Sequence, residues 1–204
     1  MEAKTDGRRI CLFGDSHIGL YRSLPRASFH HLGGYTMHRV GRDGVASLRL
    51  SDGMIADGEP IGLTFGEIDI RAHVAPQSEL PGRSSVTVLD DLLSAYLKTV
   101  QALQQRFPRS RICIFMVVPP AGMDFPNFDP QFPRKGTDQQ RAEWTRSLNA
   151  EIARRTPELG FHAIDQYSMF KDASGLLDKS CSPDGVHIRP DLMNRVDLTV
   201  LTEE

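Results

Sequence analysis

Two short segments near opposite ends of the 204-residue chain hold the side chains that nucleophilic chemistry requires. Gly14-Asp15-Ser16-His17 follows an apolar run, so a strand there would leave the Ser16 hydroxyl at its carboxyl end beside free backbone amides. A serine hydroxyl is a weak nucleophile until a base takes its proton. The sequence offers His187 as that base, in Ser182-Pro-Asp184-Gly-Val-His187, where a carboxylate precedes an imidazole across a glycine turn. Such spacing can bring Asp184 to the ring's Nδ1 and fix the tautomer whose Nε2 accepts the serine proton. Either string alone arises often by chance. Their placement, one after the first strand and one past the last, gives them weight, because a parallel sheet would carry both to one edge.

The elements that must do this positioning are readable from the apolar pattern. Residues 9–13 form a short apolar run ended by Gly14, as a buried parallel strand would. A second strand is expected over 35–40 before Gly41, and a third over 61–65, closed by Gly66. From 85 to 107 apolar residues recur at helical spacing until Pro108. Residues 111–118 are apolar on both faces, which predicts a middle strand stopped by Pro119-Pro120. A helix is expected over 137–155 with Thr137 as N-cap and Gln140 completing the box, then a last strand over 160–164 and a short closing helix over 191–201. Strands alternating with long helices predict one α/β domain spanning 1–204, a three-layer α/β/α sandwich around a parallel, flavodoxin-like sheet. The proline-rich stretch 119–136, with Phe125, Phe128 and Phe132, reads either as a substrate-contacting flap or as a structural surface loop.

Placed on this frame, Phe13-Gly-Asp-Ser16 and Asp184-Gly-Val-His187 resemble the nucleophile and acid–base blocks of the SGNH/GDSL hydrolase family. The likeness extends over nearly the whole chain, including Pro119-Pro120 and Asn149. It implies an ester hydrolase whose oxyanion hole uses the Ser16 amide, a glycine amide in a second block and an asparagine side chain in a third. Gly41-Arg-Asp-Gly44 falls where the second block belongs, with Gly44 the better match. The third block departs from the family, because Gly66-Glu-Ile-Asp69 puts Ile68 at the asparagine position. Loss of one such donor costs about 2.7–4 kcal/mol. The following polar residues Glu67, Asp69, Arg71 and His73 alternate as on one face of an extended segment, and Arg71 or His73 could donate where Ile68 cannot. The alternative is that Asp69 and Arg71 only brace the loop. Asp15 belongs to the same substrate-side group, and His17 is either a substrate contact or a brace, with the brace favoured.

Composition narrows the remaining classes. Lys plus Arg (24) and Asp plus Glu (26) nearly cancel to a formal charge of -2, so there is no basic field for nucleic acid. No apolar run is long enough to span a membrane, and residues 1–9 carry charge without an apolar stretch, which together predict a cytoplasmic protein. Three cysteines, two of them in apolar runs, fit a reducing compartment. No P-loop or dinucleotide fingerprint is present, and no cofactor is expected. The substrate expected is a small-molecule or carbohydrate ester, first of all a small acyl group on a sugar. A carbohydrate O-acyltransferase would use the same triad. Asp15, His17, Asp69, His73, Asp184 and His187 would also suit a two-metal phosphoesterase, but its Gly-Asn-His and paired-His segments do not occur. A binding module that has kept the fold and lost the rate is the third reading. Oligomeric state is not encoded in any of these signals.

Overall fold

The computed structural model describes residues 8–125 and 130–202. Its sheet has five parallel strands, β1 (Ile10–Gly14), β2 (Ala27–His31), β3 (Ile61–Thr64), β4 (Ile112–Phe115) and β5 (His162–Ile164), in the order β2-β1-β3-β4-β5. The helices are α1 (Met37–Asp43), α2 (Val74–Ser78), α3 (Ser85–Arg106), α4 (Asp138–Glu158), α5 (Tyr167–Phe170) and α6 (Thr199–Thr202). This is the three-layer α/β/α sandwich with flavodoxin-like strand order that the sequence predicts. Alternation along each strand builds the layers. Cys11, Phe13, Ile61, Leu63, Ile112 and Ile114 point into a core shared with α1, α3 and α4. Their neighbours Ile10, Leu12, Cys113 and Phe115 point the other way, toward α5, α6 and two 3₁₀ turns, Ser16–Tyr21 and Pro190–Arg195. Among the described residues no helix is long and apolar enough to cross a membrane.

Three expectations need correction. The second strand is Ala27–His31, and the expected 35–40 strand is instead the start of α1. Ala27–His31 lies at the sheet edge and is only half buried, so it lacks the apolar run that marks a central strand. Met37 and Val40 are spaced for a helix face, and the Thr36 side chain caps that helix by accepting from the Arg39 amide. The closing helix over 191–201 is split into the Pro190–Arg195 turn and α6. The 111–118 run leaves the sheet after Phe115, because the Val117 peptide bonds to a side chain instead of a strand. Asn149 of α4 accepts from the Val117 amide at 2.7 Å and donates to its carbonyl at 2.8 Å. That pair fixes the chain where it turns from β4 into the 119–136 stretch.

Arginines then pin this stretch. Arg141 on α4 is fully buried and donates to the Ala121 and Gly136 carbonyls, gathering its two ends. Arg134 donates to the Gly122 and Phe125 carbonyls. The capping box of Thr137 and Gln140 starts α4 immediately afterwards.

Replacing Asn149 with alanine strands a buried amide and a buried carbonyl at the mouth of the stretch. The expected cost is about 3 kcal/mol, read as a lower urea midpoint with unchanged m-value. A midpoint within about 0.5 kcal/mol of wild type would show that this bond pair does not hold the β4 exit.

Candidate active site

β1 delivers Ser16 to the carboxyl edge of the sheet. Its last residue pairs with Thr64 of β3, and the chain then enters the 3₁₀ turn at Ser16. Asp15 caps that turn: its carboxylate accepts from the His17 amide at 2.9 Å, and its carbonyl accepts from the Ile18 amide. The first amide of the turn, that of Ser16, has no acceptor within the turn itself.

The other segment arrives from beyond β5. Asp184 folds its own loop, accepting from the amides of Val186 at 2.9 Å and His187 at 2.7 Å through one oxygen. Its second oxygen lies 2.7 Å from His187 Nδ1. The ring's Nε2 lies 2.8 Å from Ser16 Oγ. Burial alone would raise the Asp184 pKa, but the hydrogen bonds from the His187 ring and the two amides outweigh it and hold the carboxyl at about 2. An anionic carboxylate on Nδ1 leaves Nε2 able to take a proton from the hydroxyl it touches.

His17 joins the two segments. Its Nδ1 is 2.9 Å from Asp15 Oδ1 and its Nε2 is 3.1 Å from the Val186 carbonyl, on the residue preceding His187. Both neighbours accept, so both ring nitrogens donate, which only the imidazolium can do. Burial opposes that charge, yet the Asp15 carboxylate overrides it, helped by Glu67, and pushes the His17 pKa up to about 9.

Ser16 and His187 open into a cleft of about 540 Å³ whose other walls include Gly33, Gly34, Ile68, Arg71 and Phe132. Of the four polar residues after Gly66, only Arg71 lines it. The segment is helical rather than extended: residues 69–73 form a π-helical turn, so alternate residues do not share a face. Asp69 points to the start of α1 and accepts from the Met37 amide at 2.7 Å and the His38 amide at 3.2 Å. Burial pushes its pKa up to about 7 against those two bonds. His73 is exposed and faces a separate cavity with His38 and Arg83, its ring set edge-on to Phe132. Glu67 is buried with its Oε2 3.2 Å from Arg71 Nε, an ion pair that lacks hydrogen-bond alignment. Arg71 is 4% exposed, and its Nε and Nη1 have no hydrogen-bond acceptor.

Gly44 does not reach the cleft. It ends α1 with φ of 67°, and its amide is already spent on the Val40 carbonyl. The glycines that do line the cleft, Gly33 and Gly34, follow β2 and escape notice in the sequence because β2 itself does. The 119–136 stretch touches both sides of the site. A side chain at Gly34 would meet the Phe132 ring at 2.7 Å, and one at Gly185 would meet Phe125 at 2.4 Å. Phe128 lies outside the described residues. Cys181 is buried and unpaired, with an Arg195 nitrogen 3.5 Å from its sulfur. The residues of the metal reading are divided among these separate partners, and among the described residues no group of three or more His, Cys, Asp or Glu could hold an ion.

No family model matches the chain, and no curated protein matches its sequence. Solved structures do match its shape. A GDSL-like lipase from Bacteroides thetaiotaomicron is 16% identical with a TM-score of 0.60, over 92% of this chain and 83% of that one. An extracellular lipase from Streptomyces rimosus is 17% identical with a TM-score of 0.56, over 95% of this chain and 98% of that one. The OSK domain of Drosophila Oskar is 16% identical with a TM-score of 0.56, over 93% of this chain and 83% of that one. The fold is therefore that of the GDSL-like hydrolases.

The His17 bridge predicts a pH dependence of stability. A folded pKa of about 9 against an ordinary 6.5 contributes stability that is fully present below pH 6.5 and lost as pH rises through about 9. The loss is on the order of 3 kcal/mol. Urea midpoints should fall over this window in wild type and stay level in His17→Gln. A parallel decline in both proteins would remove His17 as its source.

Proposed function

We infer that this chain is a serine-dependent ester hydrolase. The observation that carries the reading is the continuous line from Asp184 through His187 to Ser16, at 2.7 and 2.8 Å. Ser16 attacks an ester carbonyl as His187 takes its proton. The imidazolium, steadied by Asp184, returns that proton to the leaving alkoxide, and water then cleaves the acyl-enzyme by the same exchange.

The tetrahedral oxyanion needs donors aimed at it. The Ser16 amide is one, and an amide of the Gly33-Gly34 loop takes the place assigned to Gly44. Arg71 supplies the third, in place of the asparagine side chain that Ile68 lacks. Its two unmatched buried nitrogens support this role, because leaving charged donors without acceptors is costly unless a ligand completes them. Asp15, Glu67 and Asp69 act one step back: Asp15 on His17, Glu67 on Arg71, and Asp69 on the start of α1.

For the substrate, a small acyl ester of a carbohydrate is the finer reading. The cleft volume suits a small molecule, and Phe132 offers a ring face beside the nucleophile. An acceptor hydroxyl in place of water would make the same residues an O-acyltransferase.

Ester turnover tests the assignment. Ser16→Ala and His187→Ala should each lose about 10³-fold or more in kcat while keeping the wild-type circular dichroism, and Asp184→Asn a similar amount. His187→Ala retaining a tenth of wild-type turnover would remove it as the base. Arg71→Ala should lower kcat about 100-fold with little change in KM, the signature of a donor used in the transition state. A change of less than about tenfold would refute the substitution of Arg71 for asparagine. A panel of p-nitrophenyl esters beside acetylated sugars reads the acyl length and the alcohol class together.

A further inference from the structure

The charges around the cleft are unevenly distributed. Over the whole chain acidic residues slightly outnumber basic ones, 26 against 24. The cleft wall nevertheless carries two arginines, Arg39 and Arg71, and two histidines, His31 and His187, with no Asp or Glu. Behind it Glu67 pairs with Arg71 and Asp15 with His17, and Asp184 holds the His187 ring by its Nδ1. Arg39 at the mouth is different. Its guanidinium carbon sits 3.9 Å from the centre of the buried Tyr35 ring, with that of Arg49 at 5.2 Å from the same ring. The carboxylate near Arg39 is Asp43, at 3.5 Å, and Arg42 already engages both oxygens of that carboxylate at 2.6 and 3.0 Å. Arg49 makes no ion pair among the described residues. Tyr35 thus holds a planar, exposed guanidinium on the cleft wall, its orientation set by the ring and its carboxylate partner Asp43 shared with Arg42.

We propose that the ester this site takes carries an anionic group, a carboxylate or phosphate, which Arg39 binds at the mouth of the cleft while the ester carbonyl lies at Ser16. This rests on the hydrolase reading and adds to it a substrate class. A fork-shaped guanidinium matches a carboxylate or phosphate with two parallel hydrogen bonds, and a cleft wall free of carboxylates raises the local concentration of anions.

Two matched ester pairs test it. 4-Acetoxybenzoate against 4-acetoxybenzamide places the charge on the alcohol portion. The mono-p-nitrophenyl ester of succinic acid against that of succinamic acid places it on the acyl portion. After correction for spontaneous hydrolysis, the charged member of at least one pair should show about tenfold higher kcat/KM at 20 mM salt. That preference should shrink several-fold at 500 mM, as screening requires. Arg39→Gln should cost the charged member about tenfold while costing the neutral member several-fold less. Equal corrected rates within both pairs, or an equal loss on both members in Arg39→Gln, would overturn the proposal. Calorimetry on Ser16→Ala separates this failure from that of the hydrolase reading. Tighter binding of 4-acetoxybenzoate than of the amide, without turnover of any ester by wild type, keeps the anion site and removes the hydrolase. Turnover of neutral and charged esters alike, with no binding preference, does the reverse.

Discussion

A hydroxyl and an imidazole that are 171 positions apart in the chain stand 2.8 Å from one another, and the rest of the structure is arranged so that they stay there. Distance along the sequence makes the contact entropically expensive, and the sheet meets most of that cost before either side chain is ordered. β1 is a fully buried interior strand, so the carboxyl end of β1 has one position. The His187 loop has no such anchor in a strand. It is held by its own Asp184 turn and by the imidazolium of His17 reaching across from the nucleophile turn. A buried cation is therefore one of the ties that hold the register of the two segments, beside the shared packing of Ile18, Leu20 and Tyr21 with Ile188 and Leu192, and Asp15 compensates its charge in the low-dielectric interior.

The same economy shows in the segment after β3. Ile68 gives up a polar side chain, and the π-helical turn that follows rotates Arg71 onto the cleft wall within reach of Glu67. A guanidinium is a stronger donor to an anionic oxygen than a carboxamide, but it brings a full charge that must be balanced when the site is empty. Glu67 balances it in charge without matching it in hydrogen bonds, so the arginine remains a donor in search of an acceptor. Arg141 and Arg134 serve the neighbouring 119–136 stretch differently, with backbone carbonyls as partners, and so order the wall that carries Phe132.

How much of this the sequence disclosed follows from how local each signal is. The Asp-x-x-His turn is legible because both residues belong to one tight loop whose geometry depends on nothing distant. Strands buried on both faces, such as Ile112–Phe115, announce themselves as apolar runs. Ala27–His31 does not, because an edge strand needs no such run, and with it hidden the Gly33-Gly34 turn that lines the cleft is hidden too. Polar alternation after Gly66 suggests an extended face, and the pattern cannot distinguish that from a π-helical turn, which sends Arg71 to the cleft and Asp69 and His73 to the neighbouring cavity. Arg39 carried no sequence signal at all. Its significance arises from Tyr35, four residues earlier and just before the N-cap of α1, and from the absence of acids on a wall built by five separate segments.

On the proposed reading, this convergence makes the Ser16 hydroxyl nucleophilic. The most direct measurement is peptide mapping by mass spectrometry after treatment with diisopropyl fluorophosphate, which phosphorylates activated serines. A single adduct is expected, on Ser16, forming at least about 100-fold more slowly in His187→Ala. An adduct on another residue, or none on the folded wild-type protein, would contradict it.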